Sequence, residues 1–245
     1  MIVIFTNYGD NIAVVAIRAH TRAMRSGLAV VLPFIFLGIV ASIRAQNAAA
    51  VLPVDARAVW QPDADTLKKA RSACTSVAYP ELGNCFVRQM QKAGASPEAV
   101  AFLRSMHNDA YLAKYQNTGR VSIAWVIYPF RANANTACLL VNGTPPSLDV
   151  DDLSRLPRDR LLSSPTWRTL VAKYPKATLW PDDRSGMTGV GVATVPGGGQ
   201  RFIVNYLALD GCHACARLAH IRYAFDFDLT ARLLGVRFID LKAVP

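Results

Sequence analysis

Hydrophobic positions first recur at helical spacing at Leu67, Ala70, Cys74 and Val77, and again after Pro80 at Leu82, Cys85, Phe86 and Met90. Both sets predict amphipathic helices. A third helix has a defined start, because Ser96 offers an N-cap oxygen, Pro97 suits the first helical position and Glu98 complements the positive helix end. Its buried face is expected to be Ala99, Phe102, Leu103, Met106 and Ala110. The period then falls to two: Val121, Ile123, Trp125 and Ile127 alternate with smaller or polar neighbours and predict a strand that Pro129 stops. Leu139-Leu140-Val141 predicts a second strand, closed by Asn142-Gly143, and a further helix opening at Ser164-Pro165 sets Trp167, Leu170, Val171 and Tyr174 on one face.

From Gly186 onward the pattern is that of antiparallel sheet. A strand around Thr188 to Val195 leads through Pro196-Gly197-Gly198-Gly199 into a strand from Arg201 to Leu209. Ile221, Tyr223, Phe225 and Phe227 then point one way while Arg222, Ala224, Asp226 and Asp228 point the other, and a last strand runs from Leu233 to about Leu241. The predicted class is α+β, N-terminal helices followed by a largely antiparallel sheet, in a single domain over 62–245 after an irregular leader at 46–61. This order of elements resembles the cone-like arrangement of cystatin-type folds and of the nuclear transport factor and ketosteroid isomerase superfamily. The resemblance implies an apolar pocket between sheet and helices and nothing more specific; a pocket lined by Trp125, Tyr223 and Phe225 without converging polar groups would favour a binder. No particular activity is implied, since such cones host enzymes and plain binders alike.

Ahead of these elements, Leu28 to Ala41 is apolar throughout and follows Arg18, Arg22 and Arg25. The run is shorter than the roughly 18 to 20 residues a membrane-crossing helix needs, and Pro33 and Gly38 interrupt it. It reads as the core of a signal peptide over 1–45, cut after Ala45, with Met24 as an alternative start. The expected location is therefore the bacterial periplasm or the exterior, with no stable membrane span after cleavage.

Charge changes the picture only modestly. The chain carries a net charge of +10, and the first 45 residues hold four arginines and one aspartate, so 23 basic and 16 acidic residues follow them. An exported basic domain points away from nucleic acid and toward an anionic envelope component, an envelope protein or a small molecule. The charges are also dispersed: Arg155, Arg158 and Arg160 interleave with Asp151, Asp152 and Asp159, as on a solvated surface.

All five cysteines lie beyond residue 45, where an oxidising compartment makes disulfides the default. Cys74 and Cys85 fall near facing ends of neighbouring helices and are the favoured pair, worth about 3 kcal/mol by chain entropy. Cys212-His213-Ala214-Cys215 sits between two predicted strands. It admits three readings: a bridge that pins the turn (or one from this pair to Cys138), a thiol-exchange site activated by His213, or soft ligands for zinc or copper completed by His213 or His220. The pattern speaks against a thioredoxin architecture, because only 30 residues follow Cys215 and the one downstream proline is Pro245. Haem attachment fails too, since Ala216 stands where that motif needs histidine. No resident cofactor is expected.

No G-x-S-x-G elbow, P-loop, H-E-x-x-H or dinucleotide fingerprint occurs. Asp226 and Asp228 share a strand face with Arg222 and are expected to be exposed sheet surface. Asn142-Gly143-Thr144 matches a glycosylation sequon, but a turn explains the same residues. The leading expectation is a non-catalytic exported binder, with a thiol or metal site at Cys212, His213 and Cys215 as the alternative.

Overall fold

The computed structural model describes residues 3–8, 11–16, 53–78, 81–132, 135–182 and 188–244. The chain divides into two units, Met1–Gln46 and Asn47–Pro245. In the first, β1 (Val3–Tyr8) and β2 (Asn11–Ala16) pair antiparallel, with Val3 opposite Ala16. The apolar run Leu28 to Ala41, the expected cleavage after Ala45 and the first half of the leader lie outside the described residues.

The second unit opens with α1 (Ala64–Ser72), α2 (Glu81–Lys92) and α3 (Pro97–Ser105). Asp63 caps α1 by accepting from the Thr66 amide at 2.7 Å, and Ser96 caps α3 by accepting from Ala99 at 3.0 Å. The apolar spacing that continues to Val77 does not extend α1: the helix stops at Ser72, and Cys74 lies in the turn that follows.

Among the described residues of this unit the strands form two antiparallel sheets, an α+β fold. The first joins β3 (Tyr111–Gln116), β4 (Ser122–Ile127), β5 (Thr136–Val141) and β6 (Ser147–Asp149) in sequence order. After α4 (Asp159–Ser163) and α5 (Pro165–Lys173) comes the second, from β7 (Ala177–Pro181), β8 (Val190–Thr194), β9 (Gln200–Asp210), β10 (Arg217–Phe227) and β11 (Leu233–Ala243). Its order is β11-β10-β9, with β7 and β8 each paired to a different half of the remaining edge of β9.

The first sheet is buried on both faces, which is why β4 reads as an almost continuous apolar run. One face, through Val121, Ile123, Trp125, Cys138 and Leu140, packs with Phe202, Val204, Tyr206, Ile221, Tyr223 and Phe225 of the second sheet. Trp167 and Leu170 of α5 join that core. The other face, through Leu112, Ala124, Val126 and Leu139, receives Phe102 of α3 and Ala58. A third cluster gathers Trp60, Phe86, Met90, Leu103 and Tyr111, with the Trp60 and Tyr111 rings 5.0 Å apart and nearly perpendicular.

Candidate functional site

The Cys212-His213-Ala214-Cys215 motif forms the hairpin between β9 and β10. Gly211 leaves β9 with φ +81°, a conformation that favours glycine, and a Cβ there would lie 3.1 Å from Lys176 Cβ. The Cys215 amide donates to the Cys212 carbonyl at 3.0 Å, and Asp210 N–H donates to Ala216 at 3.1 Å, closing the loop beneath the sulfurs. Cys212 and Cys215 are bridged, with Cα atoms 5.1 Å apart. Cys212, His213 and Ala214 are exposed and Cys215 is half-buried. The His213 ring lies 5.5 Å from that of Trp180 on β7, whose indole N–H donates to Thr178 Oγ1 at 2.8 Å.

The other bridge has the opposite setting. Cys74 and Cys85 are joined with S–S 2.00 Å, both buried between α1 and α2. Cys138, the cysteine left over, is a free thiol in the intersheet core, where burial first and then Asp151 and Asp149 push its pKa well above the ordinary value. A buried neutral thiol of this kind is inert, whereas an exposed disulfide can be attacked by an incoming thiolate. Exchange chemistry is thus geometrically open at Cys212 and Cys215.

No pocket lined by Trp125, Tyr223 and Phe225 is present among the described residues, because the three side chains are packed. Trp125, Tyr223 and Phe225 are at most 5% exposed, within one core. Their polar atoms anchor backbone: Trp125 Nε1 donates to Thr188 O at 3.1 Å, and Tyr223 Oη to Pro157 O at 3.2 Å. Tyr206 Oη donates to Val150 O at 2.6 Å. Burial pushes the Tyr223 hydroxyl up to about 12.

Beside them Asp151, expected on a solvated surface, is drawn into a polar cluster. Asp151 accepts from the Cys138 amide at 2.8 Å and from Thr188 Oγ1 at 2.7 Å, and its own amide donates to Asp149 at 2.8 Å. Burial outweighs that bond and raises the Asp149 carboxyl. Arg155, Arg158, Asp159 and Arg160 are exposed as expected, and Asp152 caps the Leu153–Arg155 turn. The run Asp149-Val150-Asp151-Asp152 gave no local signal for this, since a buried Val150 in extended chain would turn its acidic neighbours outward.

Asp226 and Asp228 do not form a carboxylate pair. Asp226 takes a bidentate contact from Arg201, at 2.6 and 2.8 Å, and a third from Arg237 at 3.1 Å. Burial raises its pKa, but the two guanidiniums outweigh that and hold it below the usual range. Asp228 closes the β10–β11 turn by accepting from Thr230 and Arg232, which lowers it to about 2. Arg222 pairs with Asp240, Nε to Oδ1 at 2.8 Å. The outer face of the second sheet is thus a lattice of three arginines on two aspartates.

Asn142, at φ +68°, spends its amide on Val54, accepting from its N–H at 2.7 Å and donating to its carbonyl at 2.8 Å. The turn reading of the sequon is therefore the structural one. His107, at φ +55°, follows α3, and His220 lies on β10; both are exposed. Among the described residues no three histidine, cysteine or acidic side chains are grouped to hold a metal ion, and no helix is long and apolar enough to cross a membrane. Comparison with protein families, curated proteins and solved structures found no match.

Proposed function

We propose that this chain is a non-catalytic binding domain that works in the cell envelope after export, periplasmic or secreted, stapled by its disulfides and contacting an anionic partner through its exterior. The observation that carries the reading is the outer face of the second sheet. There Arg201, Arg222 and Arg237 are held in fixed positions by Asp226 and Asp240, with charge to spare. Guanidiniums anchored in this way lose little conformational freedom on meeting an anionic group. The packed core between the sheets directs binding to this exterior rather than to an internal pocket.

The test is recovery of the exported chain from a bacterial host, with N-terminal sequencing and envelope fractionation. The reading expects a new N-terminus near Gln46 and retention on the envelope that rises as ionic strength falls. An unprocessed chain confined to the cytoplasm overturns it.

A second reading, thiol exchange, is favoured by one observation. The Cys212–Cys215 bridge is exposed at a hairpin tip, beside the Trp180–His213 ring contact, with Lys176 packed under Gly211. Zinc or copper binding at the same loop would require that bridge to be reduced first.

A further inference from the structure

The two ends of the β9–β10–β11 ribbon differ in chemistry. The disulfide loop occupies one end. At the other, the Val195–Gly199 turn and the β10–β11 turn enclose a shallow open notch lined by Val195, Pro196, Asp228, Leu229, Thr230 and Leu234. Leu234 and Leu229 are 60% and 56% exposed, the two most exposed large hydrophobic side chains among the described residues, and both border this one notch. Leu229 lies against the glycine turn: a Cβ on Gly198, at φ +89°, would lie 3.0 Å from Leu229 Cδ2. Isolated exposed leucines need no explanation, but a pair held at one tip by two tight turns does.

Basic side chains ring the same end. Arg232 is 70% exposed and reaches only the rim of Asp228, at 3.3 Å. Arg201 and Arg237 flank Asp226 two residues before Asp228. Arg120 lies exposed in the 117–121 turn, which Gln200 ties to this end through bonds of 2.8 Å to Thr118 O and from Val121 N. Four arginines therefore stand against two aspartates, and the carboxylate of Asp228 is engaged by the Thr230 and Arg232 donors.

We propose that this tip docks on an anionic bilayer surface, Leu229 and Leu234 entering the headgroup layer while Arg120, Arg232 and Arg237 meet lipid phosphates. An apolar wedge collared by cations is the chemistry that an anionic lipid surface rewards and that a neutral one rewards less. The proposal rests on the envelope reading and names its partner.

The test is flotation of the full chain, purified from its exporting host, with vesicles of phosphatidylglycerol and phosphatidylethanolamine, and in parallel with phosphatidylcholine vesicles. Because Leu28–Ala41 partitions by itself if retained, the quantity read is the difference between wild type and variants in the same chain. Expected are preferential flotation with the phosphatidylglycerol vesicles, weakening with salt, and a loss of about tenfold or more in L229S/L234S. A smaller loss is expected in R120E/R232E, and L234W should show a blue-shifted emission on vesicle addition. Leu229 and Leu234 are exposed, so an unchanged thermal midpoint is expected for L229S/L234S. Flotation of L229S/L234S equal to wild type overturns the proposal, as does wild type that floats no better with phosphatidylglycerol than with phosphatidylcholine. Failure of the envelope reading is seen separately, as an unprocessed cytoplasmic chain.

Discussion

Gln200 pairs with Val121 as one peptide pairs with another: its Oε1 accepts the Val121 N–H at 2.8 Å while its Nε2 donates to the Val121 carbonyl at 3.0 Å. This side chain belongs to β9 of the second sheet and the backbone it meets lies just before β4 of the first, so a single amide links the two at one end. A further bond to Thr118 O at 2.8 Å uses its remaining donor.

Gln200→Ala is expected to lower stability by about 1 to 3 kcal/mol, the cost of leaving partly buried backbone groups unpaired. Gln200→Glu should cost more at neutral pH than in acid, because a carboxylate places an acceptor where two carbonyls need a donor. Denaturant melts at pH 4 and pH 7 check both. Equal losses at the two pH values would contradict this account.

The disulfides should separate under graded reductant. Cys212 is exposed and Cys215 half-buried whereas Cys74 and Cys85 are both buried, so as reductant is raised beyond the glutathione range the Cys212–Cys215 bridge opens before Cys74–Cys85. Stability should follow loop size: removing the 11-residue closure costs about 3 kcal/mol and the three-residue closure about 1.5 kcal/mol. Melts of C74A/C85A and C212A/C215A read these values.

Asp149 supplies a pH dependence. Its carboxyl is raised in the folded state, so its contribution is fully present below the unfolded value of about 4 and is lost as pH rises through the folded value. Asp149→Asn keeps an oxygen able to accept from the Asp151 amide and removes the titration. Wild type should lose stability relative to this variant between pH 4 and neutrality. A constant difference across that range contradicts the assignment.

Asp228 behaves oppositely. Held near 2 by the Thr230 and Arg232 donors, it should stay ionised well below ordinary carboxylates, and the order of its turn should be present above the unfolded value and fade as pH falls toward 2. A carbon-detected NMR titration of the aspartates reads this directly. A midpoint near 4 would dissolve the turn as drawn.

Much of this architecture is legible in local pattern. The Ile221, Tyr223, Phe225, Phe227 alternation, the Ser96 cap and the glycine turn at 197–199 each carry their own physical cause. The elements that pattern missed are short or atypical. β3, with Tyr111, Leu112 and Ala113 all buried, shows no period of two and follows α3 closely. β6 and α4 are three and five residues long, and β7 sits between Pro175 and its own terminal Pro181. The division into two sheets is not local at all, since it depends on β7 and β8 sharing one edge of β9. Of the candidate site, the loop position of Cys212 and Cys215 was readable, while the inward turn of Asp151 and the filling of the space around Trp125 depend on long-range packing.

The most direct test of the binding-domain account is cysteine mapping by mass spectrometry on chain recovered from a periplasm, alkylated before and after reduction, with zinc and copper assayed on the same sample. The account predicts bridges Cys74–Cys85 and Cys212–Cys215, Cys138 alkylated only after denaturation, and no stoichiometric metal. Cys212 and Cys215 found as free thiols that cycle with glutathione-range reductants, or carrying stoichiometric zinc or copper, would contradict it and make the hairpin loop the working site.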